Sequence, residues 1–145
     1  MSSEPLYRLA YLSQNLLPPE ESEAGIRQIL ETARRKNTAL GLTGALLFSA
    51  DAFAQVLEGP ESVVWETYHR IEADPRHSNP MVVGSGPIAA RSFGAWSMGY
   101  IGPSPEVEAR FAAITAKDNG AQAGPEVVDL LLATMAGQTA EAAAA

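Results

Sequence analysis

One apolar run in the middle of the chain, residues 53–60, carries a single glutamine and ends abruptly at a Gly-Pro pair. If this run is a β-strand, its side chains alternate between two faces, so Gln55 points the same way as the bulky Phe53 and Leu57. A buried amide costs about 1–3 kcal/mol unless its donors and its acceptor find partners. The run therefore predicts a buried strand whose glutamine is satisfied by the backbone at a sheet edge, by a polar neighbour or by a polar ligand.

Composition narrows the class of protein that could contain such a strand. The chain has 145 residues, 46% of them hydrophobic and 19% charged, which is typical of one globular domain with its own core. No apolar run approaches the ~20 residues that span a bilayer, and the first residues lack the basic-then-apolar pattern of a secretion signal. We therefore expect a cytoplasmic protein without a membrane segment. The chain has no cysteine, which excludes disulfides, thiolate catalysis and Cys-ligated metal sites.

The formal net charge of −7 restricts the partners of the chain. Sequence-independent binding to DNA or RNA depends on neutralising phosphates with Lys and Arg, so we expect no nucleic-acid partner. A small phosphate-bearing ligand is compatible with this charge, because one or two of the ten basic residues suffice to meet a diphosphate. His77 has no second histidine or carboxylate at ligand spacing, so we expect no metal site.

Periodicity predicts five strands and two helices in the first two thirds of the chain. The strands are predicted at residues 6–13, 42–48, 52–57, 81–83 and 95–101, with a tight turn near residues 49–51 that makes the second and third antiparallel neighbours. The first helix is predicted to have Ser22 as its N-cap and Asn37 as a left-handed C-cap. Its last turn would carry cations that suit the helix dipole, Arg34, Arg35 and Lys36. The second helix is predicted to begin at Pro60 and to end at residues 74–77.

The order strand, helix, strand, strand, helix, strand, strand predicts an α+β fold. It is typical of a ferredoxin-like βαββαββ arrangement, in which a five-stranded mixed sheet has both helices on one face. We take residues 1–102 as this domain and residues 103–145 as a two-helix extension with a frayed, Ala-rich end. The last predicted helix, starting at residues 124–126, has an apolar stripe formed by Val127, Val128, Leu131, Leu132 and Met135. This stripe must be buried, either on the free face of the sheet or against a second copy of the chain, so we expect a homo-oligomer.

Five separated segments of the sequence resemble the BLUF family of blue-light sensors, which use a flavin. The segments are Lys36-Asn37, GLTGALLF at 41–48, FAQVLEG at 53–59, DPRH at 74–77 and RSFGAWSM at 91–98. With Tyr11 included, the match runs from about residue 9 to residue 98. The resemblance implies a non-covalently bound FAD between the two helices, on the helical face of the sheet.

The resemblance also implies a photochemical pair. The redox-active tyrosine of the family falls on Tyr11 and its switching glutamine on Gln55. In this family blue light moves an electron and then a proton from the tyrosine to the flavin, after which the glutamine has rearranged its hydrogen bonds. The residue types suit this account, because a phenol can release both an electron and a proton. A neutral amide can hold two hydrogen-bond patterns, since its donors and acceptor exchange places on rotation.

Further residues are assigned to the flavin and to signal output by the same resemblance. Asn37 falls on the asparagine that binds the flavin edge, and the Arg-His pair beside the flavin falls on Arg76 and His77. We expect Lys36, where many members have a second asparagine, near a ribityl or phosphate oxygen. Signal output is expected from the last strand, on which two side chains should face the same way, Trp96 and Met98.

Taken one at a time, these residues have simpler explanations. Tyr11 is compatible with a core tyrosine, Trp96 and Met98 with ordinary packing, Asn37 with a helix C-cap and His77 with a turn. The interpretation depends on their order and spacing together.

Three functions follow from these observations. The first is a light sensor without enzymatic activity, expected to signal by contact with a separate protein effector because no effector domain follows in the sequence. The second is a small enzyme on the same fold, either an acyl-phosphate hydrolase or a flavin oxidoreductase. The phosphate-cradling glycine loop of such a hydrolase is missing after the first strand, where a Pro-Pro pair stands. The third is an oligomerisation module built on the last two helices.

Overall fold

The computed structural model describes residues 5–49, 52–94, 96–102, 104–115 and 124–135. Its centre is a five-stranded sheet in the order β4-β1-β3-β2-β5. The strands are β1 Leu6–Asn15, β2 Thr43–Phe48, β3 Ala52–Pro60, β4 His77–Pro87 and β5 Gly99–Ile101. β5 runs parallel to β2, and the other neighbouring strands are antiparallel. The predicted α+β, ferredoxin-like fold with a mixed sheet is therefore confirmed.

Within the described residues, four α-helices cover the two faces of this sheet. They are α1 Ser22–Leu40, α2 Glu61–Glu72, α3 Pro105–Thr115 and α4 Gly124–Met135. The helices α1 and α2 pack on one face, which we call the α1/α2 face, and α3 and α4 pack on the opposite one, the α3/α4 face. None of the helices within the described residues is long and apolar enough to span a bilayer. The Ala-rich end, predicted to fray, lies outside the described residues.

Strand β3 divides its side chains between these two faces as the alternation predicts. Phe53 and Leu57 belong to the apolar cluster under α1 and α2, whereas Ala54 and Val56 belong to the cluster under α3 and α4. Gln55 thus points to the α1/α2 face and is 4% exposed. The expected buried amide is present.

The first helix is longer than predicted at its C-terminal end. α1 continues to Leu40, and its left-handed cap is Gly41 with φ 75°, not Asn37. Gly41 is the first residue there without a Cβ, so the helix runs on until it reaches the residue that adopts this conformation at least cost. The predicted cations consequently lie before the last turn, which holds no basic residue. The N-terminal prediction is also wrong, because Ser22 is the first helical residue and Glu21 occupies the N-cap.

The strand boundaries near residues 77–101 also differ from the prediction. β4 extends over His77–Pro87 because its edge position tolerates Pro80, which needs no donor to a further strand. β5 is confined to Gly99–Ile101, so the strand predicted from residue 95 is too long. Residues 96–98 form an irregular segment before it, and Ala95 lies outside the described residues. The predicted tight turn also lies partly outside them, at residues 50–51, although Ser49 N donates to Ala52 O at 2.9 Å across it.

Candidate functional site

A cavity of about 200 Å³ lies between α1 and α2 on the α1/α2 face. Its floor comes from the sheet, through Tyr11, Leu46, Phe53, Gln55 and Leu57. Its walls come from the helices and the segment after α2, through Ile29, Thr32, Ala33, Lys36, Asn37, Thr67, Arg70, Ile71, Asp74, Arg76 and His77. An apolar floor with a few convergent polar groups is the usual character of a small-molecule site.

Two of the predicted residues form a buried hydrogen-bonded pair on the cavity floor. Tyr11 and Gln55 are direct partners in the register of β1 and β3, and the Tyr11 hydroxyl donates to Gln55 Oε1. Both side chains are less than 5% exposed. Burial raises the pKa of Tyr11 far above its ordinary value, and the nearby Tyr68 and Asp74 raise it further. The phenol is therefore protonated and donating at neutral pH.

The other end of the Gln55 amide is held more loosely. Gln55 Nε2 donates to the sulfur of Met98 at 3.5 Å, a weak acceptor. Because an amide nitrogen carries two protons, at least one of them is left for another partner. The amide therefore has an O–H···O hydrogen bond on the Tyr11 side and a weaker N–H···S contact on its opposite side.

Asn37 contributes a second buried amide from the last third of α1. Its Nδ2 donates to Ser97 O at 2.7 Å, and one turn earlier Arg34 Nε donates to Met98 O at 3.0 Å. Among the hydrogen bonds of the described residues, none uses Asn37 Oδ1, although Asn37 is only 2% exposed and lines the cavity. An acceptor in such a place calls for a donor, and a ligand in the cavity can supply it.

The predicted Arg-His pair lines the cavity but is already engaged by the protein. His77 Nε2 donates to Ile71 O at 2.6 Å, and Nδ1 lies 2.7 Å from Ser13 Oγ. Arg76 Nε donates to Asp74 Oδ1 at 2.9 Å, and this hydrogen bond lowers the pKa of the Asp74 carboxyl and raises that of the guanidinium. His77 consequently presents its ring to the cavity. Arg76 presents a guanidinium group that is paired with Asp74.

The cationic groups of the lining come mainly from the helices. Lys36 and Arg70 are both exposed, on α1 and α2 respectively. Arg70 lies 3.9 Å from Glu66, whereas within the described residues Lys36 has no ion pair. Together with Arg76, they give the cavity a positive rim suited to phosphate groups.

Trp96 and Met98 do not face the same way, and this part of the prediction is wrong. Met98 is fully buried under α1 and α2, where its sulfur meets Gln55. Trp96 is half-buried and packs against the cluster on the α3/α4 face. The expected alternation assumed a strand, whereas these residues lie in the irregular segment before β5, which two side chains of α1 hold by its carbonyl groups.

Some functional neighbours escaped the sequence reasoning. Ile29 and Ala33 share one helical face with the predicted Lys36 and Asn37, a spacing that could have identified the wall of the site. Glu58 was noted only as a flank of the Gln55 segment. Its fully buried carboxylate accepts bonds from the side chains of Arg8 and Thr43 and from the backbone N–H groups of Ser92 and Phe93. No local pattern marks such a network, because its members are far apart in the chain.

These features fit a flavin. A planar aromatic ring suits an apolar slot between two helices, the polar edge of the ring suits the amides of Asn37 and Gln55, and a phosphate tail suits the positive rim. The unused acceptor of Asn37 is the observation that most directly calls for such a ligand.

Comparison with known proteins gives the same result. A family model described as "Sensors of blue-light using FAD", BLUF, matches residues 6–99. Photoactivated adenylate cyclase subunit beta of Euglena longa is 34% identical over 93 residues, which are 64% of this chain and 11% of that protein. The chain thus spans about a tenth of the length of the curated relatives it matches.

Solved structures extend this similarity to nearly the whole chain. BlrB, described as a BLUF protein in its dark state, is 35% identical with a TM-score of 0.76, over 94% of this chain and 98% of BlrB. BlsA in its ground state is 31% identical with a TM-score of 0.76, over 88% of this chain and 87% of BlsA.

Proposed function

This chain belongs to the BLUF family, the blue-light sensors that use FAD, and from that membership we propose that Tyr11 and Gln55 turn light absorption into a change of hydrogen bonding. The supporting observation is their direct hydrogen bond on the cavity floor, with the far side of the Gln55 amide held only by a sulfur. Blue-light reception follows from membership of the family. The proposal concerns the residues that carry it out.

The cofactor is FAD in the cavity between α1 and α2. Asn37 Oδ1 would accept a hydrogen bond from the ring system, and Gln55 Nε2 has a second proton that it could donate to the same ligand. Lys36 and Arg76 attract the diphosphate, and His77 packs its ring at the cavity wall. Bound flavin supplies the absorption of blue light and an acceptor for one electron and one proton.

Tyr11 donates both the electron and the proton. Its hydroxyl donates to Gln55, so the loss of the phenolic proton removes the donor from Gln55 Oε1. Rotation of the amide is then favourable, because Nε2 can donate a hydrogen bond to the tyrosine oxygen and Oε1 can accept one on the other side. Breaking the 3.5 Å contact to Met98 costs little, so the rotation is opposed mainly by packing.

The output path runs from Met98 to the last helix. Met98 contacts Gln55 directly, and a Cβ placed on the next residue, Gly99, would lie 2.5 Å from Cε of Met135 in α4. A shift of Met98 is therefore passed through β5 to α4. We place the receiver in a separate protein effector, contacted by a homo-oligomer of this chain in the cytoplasm. Sensing rather than catalysis is the activity that we propose for it, in keeping with the family description.

The test is an absorption spectrum of the purified protein before and after blue light. The expected result is a reversible red shift of the flavin bands without bleaching. Tyr11→Phe and Gln55→Leu should each lose this shift completely while retaining flavin. Tyr7→Phe is the matched control, since Tyr7 lies on the same face of β1 but does not line the cavity, and it should keep the shift. A normal photocycle in Tyr11→Phe or Gln55→Leu overturns the mechanism, and a protein that takes up no flavin overturns the cofactor assignment.

A further inference from the structure

Aromatic rings connect Tyr11 to the protein surface along α2. The ring centroid of Tyr11 lies 5.4 Å from that of Tyr68, and the Tyr68 centroid lies 6.1 Å from that of Trp65, with the two ring planes at 85°. Tyr68 is buried, and Trp65 is partly exposed. Neither of these α2 residues lines the cavity. The three rings thus form a continuous contact from the cavity floor to solvent by a route that does not pass through the ligand site.

The positions of the three residues on α2 and β1 explain why their rings are in contact. Trp65 and Tyr68 are three residues apart on α2, so they are neighbours on one side of the helix. Tyr11 projects from β1 onto the α1/α2 face, where it meets the buried one of the two. Edge-to-face and tilted packing explains the stability of such a cluster. It does not explain why all three rings belong to the residue types that can be oxidised by one electron.

We propose that Tyr11, Tyr68 and Trp65 form a route for single electrons between the cavity and the protein surface. Tyrosine and tryptophan have similar one-electron oxidation potentials, so transfer among the three rings is close to balanced in energy. Rings in contact exchange electrons far faster than rings separated by aliphatic packing. The inference rests on the proposed function only for the light-driven event that first oxidises Tyr11.

The transfer balances in electrons and protons. Light-driven oxidation removes one electron and the phenolic proton from Tyr11. One electron then passes from Trp65 through Tyr68 to Tyr11, which takes back the proton that it released into the cavity and is restored. Trp65 ends one-electron oxidised and releases its indole N–H proton to solvent, which its partial exposure allows. The oxidised residue is now Trp65 at the surface, where a soluble thiol or ascorbate can reduce it.

The functional consequence is a second response to light. When charge returns directly to Tyr11, the cycle is reversible, as the proposed function requires. When the oxidising equivalent has moved to Trp65 and is reduced there by a soluble reductant, the flavin absorption bleaches instead. The chain would thereby report strong light in a reducing solution separately from weak light.

The test drives electrons along the same route in the opposite direction, from tyrosine to Trp65, and it does so in the dark. Azide radicals made by pulse radiolysis oxidise tryptophan in the purified, flavin-bound protein, with Trp96→Phe as background so that Trp65 is the single tryptophan. We expect the tryptophan radical absorption to decay as tyrosyl absorption rises, at a rate independent of protein concentration. The ring centroid of Tyr7 also lies 6.1 Å from that of Trp65 but off the route to Tyr11, so Tyr7→Phe is added to the background and should keep this phase. Adding Tyr68→Phe to that background should remove it.

Two outcomes overturn the proposal. One is an unchanged phase when Tyr68→Phe is added to the Tyr7→Phe background, and the other is a loss of the phase in the Tyr7→Phe background alone. Failure of the proposed function would look different, since the dark phase would be present while blue light produced no red shift.

A second measurement needs no variant of the route. After prolonged blue light in air, peptide mass spectrometry of the unsubstituted protein should find oxidation at Trp65 in excess of that at Trp96, which is also partly exposed. Tyr11→Phe should remove this excess. Equal oxidation of both tryptophans would indicate a diffusing oxidant and overturn the route.

Discussion

The two faces of the sheet are built from the same strands and differ in what they bury. On the α3/α4 face the strands present small aliphatic side chains such as Ala45 and Ala54, and α4 packs a fully buried Leu131 against them. On the α1/α2 face the same strands present Tyr11 and Gln55 beneath a cavity. Since a cavity forfeits packing and a buried amide costs about 1–3 kcal/mol when unpartnered, the α3/α4 face must supply stability that the site does not.

The buried polar groups of the two faces teach the same distinction. Glu58, which lies with Ala54 and Val56 on the α3/α4 side of β3, has both carboxylate oxygens occupied by hydrogen bonds. On the α1/α2 face Asn37 keeps an acceptor without a bond among the described residues, next to the cavity. The full pairing of Glu58 suits a group that serves the fold, whereas the open acceptor of Asn37 beside the cavity suits a group that meets a ligand.

The strongest way to break this comparison is to create a new cavity under α4, on the α3/α4 face. Leu131→Ala removes a fully buried side chain of α4 and should lower the free energy of unfolding by about 2–5 kcal/mol, measured by urea denaturation of the flavin-bound protein. The light-induced shift of the remaining folded protein should be normal, because Leu131 is remote from Tyr11.

The matched change on the other face is Gln55→Leu, which exchanges a buried amide for a side chain of similar size. It should alter the free energy of unfolding by less than about 1.5 kcal/mol, while abolishing the shift. If Gln55→Leu were the more destabilising of the two, the division between a stabilising face and a functional face would be wrong.

A smaller effect is expected where the two faces are linked. Gly99→Ala places a Cβ against Cε of Met135, a flexible end that can move aside, so we expect a loss of about 1 kcal/mol from overpacking. A double-mutant cycle measures the linkage, since in a Met135→Ala background the same change should cost nothing. An equal cost in both backgrounds would show that β5 and α4 are not coupled through this contact.

The sequence predicts the sheet and both of its faces because alternation is a local property. Tyr11, Gln55 and Leu57 fall where period two places them, and the resemblance supplied six of the residues that line the cavity. What failed depended on tertiary contacts: α1 passes Asn37 because Gly41 is the better terminus, and residues 96–98 leave the strand pattern because α1 side chains bind their carbonyl groups. Glu58 is paired by residues up to 50 positions away, so no window of sequence contains its partners.

The smallest effect concerns the rim of the cavity, where Asp74 is paired with Arg76. The Arg76 hydrogen bond lowers the pKa of Asp74 in the folded state, so the pair adds stability above the unfolded pKa of about 3.9, and this stability is lost as pH falls through the folded pKa. Because the pair is 26–36% exposed, Asp74→Asn should cost less than about 1 kcal/mol at neutral pH. The stability gap to the unsubstituted protein, measured by urea denaturation, should close on acidification, whereas Glu23→Gln, in an exposed pair with Arg27, should show no such closing gap. A gap that widens in acid would mean that Asp74 is held by burial instead of by Arg76.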